Sequence, residues 1–265
     1  MALAPRSDRP GALPSDERGS RDAIHVVIRR TTDWGDEETF RAQLTPSFAP
    51  SVELWNATFD LPYRLFRREL KRIAELSLAR AGVVLVALAS GANLPFGAIV
   101  VPADDDDWFA PDFAPRLAAA VSGRHAGYSW PSRFLEVPIS VAHRLGRWRR
   151  ALFPSTRPKW VCTTNNHAIV LDAETAPLVA SHVAASRWFE AHPGRVRRLD
   201  EPLSVMNRSL ASQTSFWSVS SRAALLRKFR RYRALYRAPV AGDLAWCAPY
   251  VALMRDLMDG MRVRS

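Results

Sequence analysis

Four consecutive aspartates, Asp104 to Asp107, are the residues of this 265-residue chain whose type and spacing bear most directly on chemistry. Adjacent carboxylates repel one another, so such a run costs stability unless a cation sits among them. A divalent metal fits that need. Mg²⁺ takes carboxylate oxygens together with phosphate oxygens and water, and does not require a full protein cage. The alternative is a solvated acidic turn.

The flanks decide where these acids sit. Ile99 to Val101 is an apolar, β-branched run that reads as a buried strand. Trp108, Phe109 and Pro111 follow, and Pro111 suits the first turn of a helix, read as Asp112 to Val121. The acids therefore fall at the carboxyl end of a strand, the edge where open α/β sheets bind ligands. Ile24 to Ile28 reads as a first strand that ends at Arg29-Arg30-Thr31-Thr32-Asp33, either another such edge or a basic surface loop. A second polar kink, Thr163 to His167, separates the strand-like runs Trp160–Cys162 and Ala168–Leu171. Asn165, Asn166 and His167 carry the amide and imidazole groups that hydrogen-bond sugar hydroxyls; an Asx-rich turn is the other reading. Asp200 and Glu201 precede Pro202 and read, from the residues alone, as a helix start.

The pattern of apolar strand, Asp-x-Asp-Asp, aromatic residue and Pro-led helix resembles the metal and sugar-nucleotide motif of glycosyltransferases with the GT-A fold. It is most similar to the family 2 enzymes and the rhamnosyltransferase-like group, over Asp104-Asp105-Asp106-Asp107-Trp108-Phe109 and its flanks. The resemblance implies a GT-A-like, Rossmann-like α/β fold with a mostly parallel central sheet and helices on both faces. It implies a sugar moved from a nucleotide-sugar donor to a saccharide or lipid-linked acceptor, in cell-surface polysaccharide or glycolipid synthesis. By that likeness Asp106 and Asp107 hold Mg²⁺ or Mn²⁺, while Asp104, Asp105, Arg30 and Asp33 contact the nucleotide. Trp108, Asn165, Asn166 and His167 face donor or acceptor sugar, and Asp200 or Glu201 is the late carboxylate that serves as general base. The chain departs from the family pattern in lacking a clear second nucleotide motif before the aspartates and in a degenerate base motif.

These residues need elements to hold them. With 48% hydrophobic residues the chain can bury a substantial core. Residues 1–22, rich in Pro, Ser, Gly, Asp and Arg, are expected to be a disordered leader. Residues 23–219 are expected to form the catalytic domain and 220–265 a basic helical extension packed on or next to it. Leu61 to Ala81 has a helical apolar period in Leu65, Phe66, Leu70, Ile73 and Leu76, with Arg67, Arg68, Lys71 and Arg72 assigned to the opposite face. Gly82 stops it. Val83 to Leu88 is a strand or a continuation of packed helix. Gly127–Trp130 and Ser132–Val137 suggest a strand or hairpin, Arg144 to Lys159 a basic loop, and Ala173 to Glu190 a helix with His182 on its apolar face.

The net charge of +11 favours anionic partners. Much of the excess lies in Arg222 to Arg237, a helix pattern that fits a docked basic helix, a contact with anionic membrane at the inner face, or a nucleic-acid contact. No recognised reading motif accompanies it, so no specific nucleic acid is expected. The two cysteines suggest neither a disulfide framework nor a zinc site, which points to a reducing cytoplasm. No secretory leader is expected, and the longest apolar run, Ala81 to Ala92, is too short to span a bilayer. P-loop, G-x-G-x-x-G and H-E-x-x-H motifs do not occur, and Gly127-Tyr-Ser129-Trp-Pro131 falls short of G-x-S-x-G. The competing functions are a basic nucleic-acid-binding protein and another Mg²⁺-dependent phosphoryl-transfer or hydrolytic enzyme.

Overall fold

Strands β1 (Ile24–Ile28) and β3 (Ile99–Ala103) lie side by side and parallel, with His25 opposite Val100 and Ile28 opposite Ala103. The structure is a computed structural model and describes residues 24–28, 36–42, 44–87, 94–135, 153–154, 165–211, 219–240 and 242–265. The expected leader, the loop bearing Arg30 and Asp33, and nearly all of the basic loop lie outside the described residues.

Parallel strands need long crossovers, and the chain between β1 and β3 supplies one. It contains α1 (Glu37–Ala42), α2 (Ala49–Thr58), α3 (Tyr63–Ala81) and strand β2 (Val84–Ala87), which pairs parallel on the other side of β1. Gly82 ends α3 in the left-handed region, at φ 70°, where a side chain would be strained. The six-stranded sheet runs in the order β2-β1-β3-β8-β5-β9, where β5 is Gly127–Ser129, β8 is His167–Val170 and β9 is Val196–Arg198. Only β8 runs against its neighbours; the other five strands are parallel. The expected α/β class and mostly parallel central sheet are thus present.

Alternation in β3 fixes the layers. Ile99, Val101 and Ala103 face one core with Leu78 of α3 and with Phe113 and Leu117 of α4 (Phe113–Ala120). Val100 faces the opposite side with Leu171 and Val179. On that side α5 (His182–Ala191) packs Trp188 and Phe189 against Ile169. A methyl group added to Gly127 would lie 2.8 Å from the Phe189 ring, so glycine is what lets α5 sit directly on β5.

Four more strands form a second sheet in the order β4-β10-β6-β7: β4 Trp108–Phe109, β6 Arg133–Leu135, β7 Phe153–Pro154 and β10 Ser204–Asn207. So β5 and β6 belong to different sheets and are not a hairpin. The second sheet shares its core with α2, α3 and the C-terminal helices α6 (Arg222–Leu235) and α7 (Ala248–Gly260). Arg262 and Arg264 bond back to Asp60 and Thr58, tying the chain's last residues to the end of α2.

One expected helix is broken. Ala173 to Glu190 divides into a 3₁₀ turn, Ala176–Ala180, and α5, which Ser181 caps by accepting a hydrogen bond from Ala184 N–H. His182 starts α5, while Ala185, Trp188 and Phe189 are its buried face. No helix among the described residues is long and apolar enough to cross a membrane.

Candidate functional site

The carboxyl ends of the parallel strands and the start of β8 share one edge of the main sheet. β3 delivers Asp104–Asp107 there, β5 delivers Trp130 to Ser132, β9 delivers Leu199 to Glu201, and Asn165 and Asn166 arrive just before antiparallel β8. Pro102 has no N–H to give, and the ladder between β3 and β8 covers only Ile99 and Val100. The strands therefore part before the edge, with the aspartates on one side and the amide turn on the other.

The cation among the aspartates is a side chain. Arg67, on α3, donates from Nη1 to Asp106 Oδ2 and from Nη2 to Asp105 Oδ1, each at 2.7 Å. All three residues are buried. A guanidinium fork suits two carboxylates held side by side. This corrects the placement of Arg67 on the solvent face of its helix. The residues of α3 that turn inward include Tyr63, Arg67, Leu70, Ala74, Ser77 and Ala81, spaced by threes and fours, so Arg67 occupies a core position of the stripe. An arginine in phase with an apolar stripe was the available signal, and the run Arg67-Arg68 concealed it.

The other two acids differ. Asp107 is buried and its Oδ2 accepts the Asp104 N–H at 3.1 Å, a contact that closes the turn. Asp104 alone of the four is only half-buried. Among the described residues no group of three or more His, Cys, Asp or Glu side chains is arranged to hold a metal ion.

Burial pushes the Asp106 carboxyl up to about 6; the Arg67 charge opposes the rise, and the Asp105 and Asp104 charges add to it. Burial also disfavours the Arg67 charge, but Asp106 and Asp105 outweigh it and hold the guanidinium protonated. The Asp106 value lies above that of an unfolded carboxylate, so the folded state binds more protons between roughly pH 4 and 6. Stability accordingly falls as pH rises through that window. Asp106→Asn keeps an oxygen for Arg67 and should flatten this part of the profile. Chemical denaturation from pH 4 to 7 checks it, and an unchanged slope would assign the protons to another group.

Trp108 does not form an open platform for sugar. It is fully buried in β4, with its ring centroid 5.6 Å from that of Tyr250 on α7. Phe109 N–H donates to Ser77 Oγ, and Ala110 N–H to Leu203 O, so the strand after the aspartates is fixed to α3 and to the segment before β10.

The amide turn is zipped to the end of β5. Trp130 N–H donates to Asn166 O, Asn166 Nδ2 donates to Trp130 O at 3.0 Å, and Trp130 Nε1 donates to Ser204 Oγ at 2.7 Å. Ser204 Oγ in turn donates to Asn165 O at 2.6 Å. His167 is buried with its ring edge-on to Phe189, a packing position. Asn165 is the member of the trio with a buried, unpaired Nδ2.

Asp200 and Glu201 lie in the connection from β9 to β10, not at a helix start. Both are exposed, and Glu201 pairs with Arg116 on α4. Two strands separate β9 from β3, which at about 4.8 Å per strand places their ends roughly 14 Å apart. The basic helix α6 is docked through Leu225, Lys228, Phe229, Tyr232 and Leu235. Lys228 therefore faces inward, and burial lowers its ammonium to about 8. Arg233 and Arg237 pair with Asp259 on α7, while Arg227 and Arg230 remain exposed. The docked reading of this helix accounts for its apolar stripe.

No known family model matches the chain, and no curated protein is detectably similar to it.

Proposed function

We propose that this protein is a metal-dependent glycosyltransferase of GT-A type that moves a sugar from a nucleotide-sugar donor to an acceptor hydroxyl across the carboxyl edge of its sheet. The observation that carries the reading is the convergence of the aspartate run, the amide turn and the end of β9 on that edge, with one antiparallel strand separating the first two from a plain parallel array. Ligands of open α/β sheets bind at this edge.

Within this reading Asp104, the least buried of the four, is the carboxylate that first meets a cation, and Arg67 keeps Asp105 and Asp106 from repelling the diphosphate. A bound Mg²⁺ or Mn²⁺ would neutralise charge on the departing nucleoside diphosphate. Asn165 contributes an amide to sugar oxygens. The acceptor hydroxyl must lose its proton as it attacks the anomeric carbon. Asp200, exposed at the far end of the same edge, is proposed to take it; Glu201 is tied to Arg116. Arg30 and Asp33 follow β1 in sequence and are proposed to contact the nucleotide.

A nucleoside diphosphate is expected to raise the melting temperature only with Mg²⁺ or Mn²⁺ present. Asp104 by itself repels phosphate, and with the cation it attracts it. A ligand specific for the folded state, at about 100 times its Kd, stabilises by roughly 2.7 kcal/mol, a shift of a few degrees for a chain of this size. A panel of UDP, GDP, dTDP and CDP would name the donor class, and Asp104→Asn should remove the metal-dependent part. If no nucleotide gives a metal-dependent shift, the reading fails.

A further inference from the structure

The geometry points to Asn207, positioned by Tyr236, as a second ligand-contacting amide of the aspartate edge, one that takes a hydroxyl of the transferred sugar. The inference rests on the glycosyltransferase reading and extends it to a residue that the aspartate motif does not contain.

Asn207 ends β10. The antiparallel register of β4 and β10 pairs Phe109 with Ser204 and Trp108 with Val205. Moving toward the aspartates along one strand means moving toward Asn207 along the other, so β10 leaves the pair on the acidic side. On its opposite side Asn207 is in register with Leu135 of parallel β6. Its side chain is 1% exposed. Oδ1 accepts the Tyr236 hydroxyl at 3.0 Å, and Nδ2 is buried without a hydrogen-bond partner. Exchanging the amide oxygen and nitrogen would leave one polar atom unpaired all the same.

Tyr236 fixes the orientation of the Asn207 amide. Burial, then Tyr232 and the negative charge of Asp106, push its phenol well above the ordinary tyrosine range, so the hydroxyl stays protonated and donates to Asn207. Continuing the antiparallel β4–β10 register past the Val205–Trp108 pair carries Asn207 toward the aspartate turn. Asn165, across the edge, also holds a buried unpaired amide nitrogen, while Ser204 on β10 fixes its backbone carbonyl.

Buried polar groups in folded proteins are nearly always paired, so a buried amide nitrogen without a partner needs an explanation. Asn165 lies just before β8 and Asn207 ends β10. Each has one side of its residue tied down and an amide N–H₂ left over. Two uncommitted donors beside a cluster that would hold a diphosphate suit a ligand with several oxygen acceptors. A hexose attached to that diphosphate has them. The free nucleoside diphosphate does not extend its hydroxyls to the same place.

The test compares the wild type with Asn207→Leu/Tyr236→Phe, which removes both hydrogen-bonding groups and keeps the branching of each side chain. Affinity for nucleoside diphosphates and for their hexose conjugates is measured with Mn²⁺, alongside thermal melting of the free proteins. The double variant should melt within two degrees of the wild type or higher, since it deletes an unpaired group together with its partner. It should bind the nucleoside diphosphate equally well and the hexose conjugate at least tenfold more weakly. Equal loss for both ligands, or no loss for either, overturns the assignment; the latter would mean that a buried water pairs Asn207. A large drop in melting temperature also overturns it, because the pair would then be a structural strut. Failure of the wild type to bind any nucleoside diphosphate would instead be failure of the glycosyltransferase reading, and the assignment would fall with it.

Discussion

Arg67→Met is expected to cost about 3–5 kcal/mol at neutral pH, the usual consequence of removing one partner from a buried ion pair. Arg67 is the counter-charge to Asp105 and Asp106, each held at 2.7 Å, and the three residues are buried. Without the guanidinium, two adjacent carboxylates remain in a poorly solvated place with Asp104 and Asp107 beside them. Their remedy is to take up protons. The Asp106 carboxyl, already raised by burial, then rises further once the opposing Arg67 charge is gone, so the loss should shrink as pH falls toward 5. Denaturant unfolding at pH 7.5 and pH 5 measures both effects. Arg67→Met/Asp105→Asn/Asp106→Asn should recover most of the stability, because replacing a whole buried ionic cluster is often neutral. A single variant within about 1 kcal/mol of wild type at pH 7.5 would mean that water reaches the cluster and solvates it.

The price of this arrangement explains why α3 lies where it does. Its apolar stripe places Leu78 and Ala81 against the main sheet and Tyr63, Phe66 and Leu70 against the C-terminal helices. Arg67 falls between, level with the turn after β3. Ser77, ten residues on, receives the Phe109 N–H. One helix therefore fixes the aspartate turn by a charge at one point and by a hydrogen bond just after it. A shift of α3 by one turn would break both.

What the sequence made legible followed from periodicity. Ile24–Ile28 and Ile99–Val101 are short β-branched runs, and they are adjacent parallel strands. Tyr63–Ala81 with Gly82 after it is a helix with a left-handed stop. The aspartates lie at a strand's carboxyl end because that strand is buried and the acids cannot continue it. Less legible was anything set by pairing between distant segments. Arg67 looked like one of a run of surface cations, and only its phase in the stripe distinguishes it. Trp108 looked like an exposed aromatic beside a polar motif, but the core it enters is built by α7, well over a hundred residues later. Ser204 and Asn207 carry no local signal, since a serine and an asparagine in a four-residue strand have meaning only once β10 is laid beside β4. Asp200 and Glu201 resembled a helix start because acids before a proline suit one; the chain uses them to turn between two sheets instead.

Ser204→Ala is expected to lower stability by about 2–6 kcal/mol and to loosen one side of the edge selectively. Its hydroxyl accepts from Trp130 Nε1 and donates to Asn165 O, and the three residues are at most 1% exposed. Removing it leaves a buried donor and a buried acceptor, each costing about 1–3 kcal/mol. The hydroxyl also ties three elements together: β10 of the second sheet, the end of β5, and the turn before β8. Trp130 and Asn166 remain bonded to each other through two hydrogen bonds, so the main sheet should keep its register. The Asn165 backbone loses its anchor to β10. Amide hydrogen exchange should therefore quicken at Asn165 to His167 and at Trp130, and stay slow in α3 and α7, which do not touch the hydroxyl. On the proposed glycosyltransferase function, affinity for a nucleotide sugar should fall with it, since Asn165 can no longer be held in place, while affinity for the free nucleoside diphosphate should change little. Uniform quickening across the protein would make Ser204 part of the general core. A loss below about 1 kcal/mol would show that the indole and the carbonyl find other partners, and the edge would then owe its shape to the Trp130–Asn166 bonds alone.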